Sequence, residues 1–379
     1  MSVQRYTKGG QVRYRARIKS HGREVATRVF DRKTDAVAWE QDQTRKLRLG
    51  EWTDPKRGRV PLSAVAEDWL ESRSSAKRRT READESDWRL HIAPRFGNFP
   101  LVSITAAEVS SWVGAQIAAG RRPSSVTRYL ATLRSILSYA IADGRMTVNV
   151  AAFAKAPSGG QSRREGVHLT EEQLYELADA CHGRYAELVL VLGLGGLRWG
   201  EMAGLQAGDR VWVPGRGLRL QRAVLASGGT GELFVDTLKN KRARTVPLVD
   251  ELIPLVDRWA GQKVNGAWLF HAPQGGPLSE GNWKRSVRWS AAIKAIGVPN
   301  LRVHDLRHTA ASVWLGSGAD PKVVQRILGH ASAAMTMDLY GHLIDQNLWD
   351  AARKIGGTTG ARRELEAGNK KPPGEETGL

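Results

Sequence analysis

One cysteine in 379 residues, no long apolar run and too few acids for its bases: each shortage removes a class of protein from consideration. Cys181 alone can form neither an intramolecular disulfide nor a cysteine-based metal site, and its place on the apolar side of an expected helix makes it a buried spectator. No stretch reaches the roughly 18 consecutive apolar residues that a membrane span requires. Residues 1–10 lack the pattern of a signal peptide, so a cytoplasmic protein without a membrane partner is expected. Asp and Glu total 39 against 57 Lys and Arg, a formal charge of +18. A field of that sign concentrates phosphates, which makes a large polyanion the expected partner. The length fits two or three domains, each able to bury a core.

The excess charge is not spread evenly, because residues 1–60 hold 16 Lys and Arg against 7 acids. Between Tyr6 and Phe30 the pattern is that of short strands: Val12, Tyr14, Ala16 and Ile18 alternate with Arg13, Arg15, Arg17 and Lys19. At a period of two, one face is apolar and the other a row of cations. Ser20, His21 and Gly22 suggest a hairpin turn, and Thr34 a cap for a helix running to Leu49. The cationic row suits a strand face laid into a DNA groove, or else a solvated edge strand guarded by charge. Residues 1–55 are thus read as a small sheet backed by one helix.

Pro55, Gly58 and Pro61 interrupt the pattern and place a boundary. Residues 56–150 then read as an all-α bundle of about four helices. Ser63 is expected to cap the first, Pro94 to end the second, Thr105 to open the third, and Val126, Tyr129, Leu130, Leu133, Ile136, Leu137 and Ala140 to stripe the fourth. Arg128 and Arg134 on that last helix are either solvated or in contact with phosphate, which positions a protein on DNA without reading sequence. Residues 151–166, with Pro157, Ser158, Gly159 and Gly160, read as a linker.

Residues 167–356 form the third expected domain, and 357–379 a polar tail with the composition of disorder. Thr170 opens a helix, Tyr185 to Leu194 form an apolar one, and Gly193, Gly195 and Gly196 precede Leu197, Arg198 and Glu201. Strand character follows around Val211–Val224 and Leu233–Pro247, with Lys239 and Lys241 at the turn, and a helix is expected from Trp283 to Ala295. His304, Arg307 and His308 fall at i, i+3 and i+4 of a further helix and project from one side. A metal is one reading of two histidines so spaced, yet the glutamate of an H-E-x-x-H site is absent. A phosphodiester suits the group better, since guanidinium is a forked and permanently charged donor. His330 follows Gly329 after a short helix, and Tyr340 comes ten residues later.

These segments resemble the tyrosine recombinases, the phage-integrase family of site-specific DNA recombinases. Gly196-Leu197-Arg198 with Glu201 and Leu205 is similar to the family's first box, Lys239 to Leu248 to its lysine hairpin, and His304-x-x-Arg307 to its second box. Gly329-His330 matches the family's third box and Tyr340 its nucleophile. Residues 1–55 look like an arm-type DNA-binding domain and 56–150 like the helical, SAM-like core-binding domain. The resemblance implies a multidomain fold with a small N-terminal β-sheet plus helix, an all-α bundle and a mainly α (α+β) catalytic domain. It implies attack by Tyr340 on a DNA phosphorus, leaving a 3′-phosphotyrosyl bond. Arg198, Arg307 and His330 would hold the phosphate oxygens, His304 would assist the nucleophile and Lys239 would protonate the leaving 5′ oxygen. Glu201 and His308 would support the site from behind. No cofactor or metal is implied. Double-stranded DNA, a homotetramer on it, a directionality factor and a DNA-bending host protein are, in the nucleoid of a bacterial host. Two rivals are a type IB topoisomerase, which relaxes DNA without a specific site, and a DNA-binding protein with a dead site.

Overall fold

The computed structural model describes residues 3–20, 23–49, 57–156, 167–238 and 243–330. The chain divides into two units, residues 1–161 and 162–379. Several expectations lie outside the described residues: the turn at His21 and Gly22, most of both linkers, Lys239, Lys241, Tyr340 and the tail.

Unit one begins with an antiparallel sheet of β1 (Val3–Lys8), β2 (Gln11–Ser20) and β3 (Arg23–Phe30), with β2 central. Helix α1 (Lys33–Arg48) packs on the apolar face, burying Ala16, Ile18 and its own Ala36. It starts before Thr34, and Arg32 occupies the cap without a side-chain bond. Strand pairing sets Tyr6 opposite Arg13, Gln4 opposite Arg15 and Thr27 opposite Arg17, so these residues share the outer face.

The helical part of this unit comprises α2 (Leu62–Ser72), α3 (Arg78–Asp87), α4 (Ala93–Phe96), α5 (Ala106–Ala118) and α6 (Pro123–Ala142). Its core joins Leu62, Trp69, Ile92, Phe96, Leu101, Trp112 and the stripe of α6. Thr105 forms a reciprocal capping box with Glu108, as its spacing suggests. Pro61, not Ser63, precedes α2. Pro94 does not end its helix either. The chain widens into a π-turn at Trp88–Ile92, where Ala93 N–H reaches back five residues to the Trp88 carbonyl, and Pro94 enters the first turn of α4. A proline has no N–H to give the carbonyl four residues earlier, and a wider turn absorbs that loss.

Unit two holds α7 (Glu171–Ala180), α8 (Leu188–Gly195), α9 (Trp199–Ala203), α10 (Leu252–Ala260), α11 (Glu280–Ser286), α12 (Trp289–Ala295), α13 (Asp305–Gly316) and α14 (Pro321–Leu328). Strands β4 (Arg210–Val211), β5 (Gly217–Leu220) and β8 (Arg244–Pro247) form one small sheet, with β5 central. Strands β6 (Arg222–Ala226) and β7 (Leu233–Thr237) form another. The Thr170 cap pairs with Gln173. In place of one helix from Trp283 to Ala295 there are two, broken where Arg288 takes a left-handed φ of 54°. The break lets Trp283 and Trp289 both turn inward, with ring centroids 5.3 Å apart. Helix α8 is apolar on every side and buried, and α13 packs along it, with Trp314 Nε1 donating to the Leu194 carbonyl at 2.8 Å. Cys181 is buried, which pushes its thiol up to about 11. No helix among the described residues is long and apolar enough to cross a membrane.

Candidate active site

The end of α8 sets the site. Gly196 adopts a left-handed φ of 66°, and a Cβ there would come within 2.6 Å of Leu328 and 3.2 Å of Ala310, so only glycine lets this turn sit against α13 and α14. The chain then straightens, and Arg198 stands as the residue preceding α9, its side chain 33% exposed. Its Nη1 donates to Glu201 Oε1 at 2.8 Å and its backbone N–H to Glu201 Oε2 at 2.9 Å. Its Nε and Nη2 meet no acceptor among the described residues.

Glu201 is 4% exposed and would be costly to keep charged there alone. Arg244, the first residue of β8, supplies the second partner, with Nη1 to Oε1 at 2.9 Å and Nη2 to Oε2 at 2.7 Å. Burial by itself raises the carboxyl. The hydrogen bonds and charge of Arg244, then the backbone N–H and charge of Arg198, outweigh it and hold Glu201 at about 2. Arg244 Nε also donates to the Ile327 carbonyl at 2.8 Å, one of the open carbonyls at the end of α14.

Helix α13 carries the next group. Asp305, fully buried, accepts from Arg302 N–H at 2.8 Å and from Arg302 Nη2 at 3.0 Å, which fixes the helix start. Arg307 is 3% exposed. Its Nη1 donates to the Gly196 carbonyl at 2.6 Å and its Nη2 to the Leu328 carbonyl, so one guanidinium ties the ends of α8 and α14 together. His304 lies at the start of α13, edge-on to His308 with ring centroids 5.4 Å apart.

His330 follows Gly329, whose φ of 65° ends α14 and whose missing Cβ leaves room for the Arg244 side chain, with Cδ, Cζ and Nε 3.0–3.1 Å from where it would stand. All three imidazoles are pushed down. For His304 the cause is packing around the ring, then the charges of Arg307 and Arg198; for His308 it is burial, then His304. His330 falls to about 4, through burial, then Arg307, Arg198, His308 and Arg244. At neutral pH each is uncharged, able to accept a proton or donate a neutral hydrogen bond.

Arg198, Glu201, His304, Arg307, His308 and His330, named from the sequence, thus converge in one place. Lys239 and Tyr340 lie outside the described residues. Arg244 was missed, and its signal was its place directly before Thr245-Val246-Pro247-Leu248 in the hairpin pattern. No group of three or more His, Cys, Asp or Glu among the described residues could hold a metal ion.

Elsewhere the arginines differ in what they do. Arg13, Arg15 and Arg17 lie on the outer face of the N-terminal sheet, with the Arg15 guanidinium 4.8 Å from the Tyr6 ring centre and Lys19 exposed. Arg13 and Arg17 have loose ion pairs with Asp31 at 3.5 Å and Glu24 at 3.7 Å. Arg128 is 58% exposed, although its Nη2 also pairs with buried Asp87 at 2.8 Å. Arg134 donates from Nε to the Ala151 carbonyl at 2.9 Å and from Nη2 to Ala154 at 2.6 Å, fastening α6 to the chain beyond it.

Residues 168–347 match the phage integrase family, and residues 62–156 the phage integrase central domain. The integrase of Mycobacterium phage D29 is 29% identical over 328 residues, 82% of this chain and 84% of that protein. The putative prophage phiRv2 integrase of Mycobacterium tuberculosis H37Rv is 30% identical over 332 residues, 83% of this chain and 84% of its own length. Among solved structures, the Tn1549 transposon integrase in complex with transposon right end DNA superposes with a TM-score of 0.63 at 20% identity, covering 74% of this chain and 95% of that one. A lambda integrase tetramer bound to a Holliday junction gives 0.52 at 20% identity, covering 87% and 96%. These two likenesses speak to the fold, and the sequence relatives speak to descent. The chain belongs to the phage integrase family of tyrosine recombinases.

Proposed function

We propose that the chain is a site-specific DNA recombinase that cuts and rejoins duplex DNA through a 3′-phosphotyrosyl bond at Tyr340. The observation that carries this is the convergence of Arg198, Arg307 and three uncharged imidazoles around the turns that end α8 and α14. Such a cluster repels cations and attracts one phosphodiester.

In this reading the Tyr340 phenol attacks phosphorus and its proton passes to His304, which is uncharged and free to take it. A phenol with an ordinary pKa of about 10 needs that help. The bond to the 5′ oxygen breaks, and Lys239 protonates the departing oxygen. Arg198 and Arg307 meet the charge that grows on the non-bridging oxygens, and His330 adds a donor. Rejoining is the reverse, with the 5′-hydroxyl of a partner strand attacking phosphorus and tyrosine leaving. Bond energy is kept in the covalent intermediate, so no nucleotide is consumed. Glu201 and His308 orient the groups in front of them.

Four active sites are needed to exchange two duplexes, so a homotetramer on DNA is part of the proposal, as in the lambda integrase assembly on a Holliday junction. Residues 1–55 would bind arm DNA through Arg13, Arg15, Arg17 and Lys19, and 56–150 would hold the core site, with Arg128 toward phosphates. Arg134, expected to do the same, is instead engaged by the Ala151 and Ala154 carbonyls, and Lys241 would meet phosphates from the catalytic domain. Residues 151–166 would link them to the catalytic domain, 167–356. A directionality factor and a DNA-bending host protein would join the complex, in the nucleoid of a bacterial host. Attachment sites of phage or mobile-element DNA are the substrates.

The test is a duplex attachment site nicked near the cleavage position, which traps the covalent adduct. Wild type is expected to form it and Tyr340→Phe to form none. An adduct of equal yield with Tyr340→Phe would sink the mechanism. Relaxation of plasmids lacking a site would point instead to a topoisomerase.

A further inference from the structure

We propose that Arg244 is a positioning residue for DNA cleavage: its guanidinium joins Glu201 to the end of α14 and so fixes where Arg198 and His330 stand toward the phosphate. This rests on the recombinase reading of the site and adds to it a residue outside the six that would perform the chemistry.

Three of the guanidinium's five N–H donors are committed, two to the separate oxygens of Glu201 and one to the Ile327 carbonyl. The side chain is 13% exposed and is wedged under the Gly329 turn, where a Cβ would stand 3.0 Å from its Cδ. One planar group thus spans α9, β8 and the turn that presents His330. A lysine at this place would reach one oxygen as a point charge and leave the carbonyl unmet.

The consequence for Arg198 is one of competition. A buried carboxylate facing a single arginine takes it in the forked, two-bond geometry that such pairs prefer. Here Arg244 holds that geometry on Glu201, and Arg198 keeps only Nη1 on Oε1. Its Nε and Nη2 remain for an incoming phosphate. One carboxylate shared by two guanidiniums also leaves the trio with one net positive charge. Arg244 therefore spares the charge of Arg198 as well as its direction.

The experiment uses full-length protein, the nicked substrate and three variants: Arg244→Lys, Arg244→Met, and Arg244→Met combined with Glu201→Gln. The last removes the uncompensated carboxylate that makes the single Met variant prone to unfolding. First-turnover adduct formation is followed across pH, and histidine ring titration is followed by NMR without DNA. His330 is faced by Arg198, Arg307, His308 and Arg244, so loss of Arg244 removes one of three neighbouring cations. Adduct formation should slow roughly 100-fold in Arg244→Lys, the size of effect that an ångström of misplacement brings. The double variant should be folded and equally slow. His330 should titrate higher in both Met variants and stay low in Arg244→Lys. If the double variant regains the wild-type rate, Arg244 merely neutralises Glu201 and the proposal is wrong. Wild-type rate and pH profile in Arg244→Lys overturn it too. Absence of any adduct in wild type overturns the recombinase reading itself, and the positioning role with it.

Discussion

Single residues make the site, and their charge states can be measured. Glu201 is buried between two arginines, so Glu201→Ala leaves Arg244 without its partner in a largely dry place. A loss of roughly 3 kcal/mol is expected, toward the lower end for a broken buried pair because Arg244 retains some solvent. Urea unfolding at pH 7 checks it, and an unchanged midpoint would contradict the packing described. His330 gives a dependence of definite sign. Its folded value near 4 lies below that of the unfolded chain, so the unfolded state takes up the proton first as pH falls. Its contribution to stability is whole above the ordinary histidine value of about 6.5 and drains away as pH drops through 4. Replacing it by Asn should flatten the difference between urea midpoints at pH 7 and pH 5. The grouping of Arg198, Glu201, His304, Arg307, His308 and His330 was legible in the sequence because arginines and histidines in that order and spacing have few other uses. Arg244 was not, because its role depends on Glu201 and Ile327, which lie 43 and 83 positions away.

Elements were legible where a signal is local. The capping boxes at Thr105 and Thr170 satisfy their own N–H groups within three residues, and both helices begin where those residues say. The π-turn at Trp88 was not legible, since a proline marks a broken hydrogen bond without saying whether the helix stops or widens, and the break at Arg288 was not, since it brings Trp283 and Trp289 both into the core. Helix α14 combines a local signal with a distant one. Gly329 ends it with a left-handed φ and lies against Arg244. Gly329→Ala therefore meets backbone strain of about 1–2 kcal/mol and a side chain that cannot retreat without releasing Glu201. We expect a lower melting temperature together with slower adduct formation, whereas a strain confined to the helix end would lower the first alone.

At the scale of the molecule, charge was the plainest message of the sequence, and the structure sorts it by place. The sheet of unit one separates an apolar face under α1 from an outer face with Arg13, Arg15 and Arg17. If that face meets phosphates, changing Arg15 and Arg17 together to Gln should weaken binding to arm DNA. It should also reduce the salt dependence by about 0.9 in the log–log slope for each phosphate no longer neutralised. An unaltered slope would assign those arginines to solvent. The site in unit two has a different consequence. Its three imidazoles are kept uncharged first by burial and then by neighbouring charges, Arg307 and Arg198 foremost for His304 and His330. A phosphodiester seated beside Arg198 and Arg307 offsets the charge part of that effect while leaving the burial part, so DNA binding is expected to raise the affinity of His304 and His330 for protons and to draw some from solution. The heat of binding will then depend on the ionisation enthalpy of the buffer, and the enzyme will grip its substrate more tightly in mildly acid medium than its net charge alone requires.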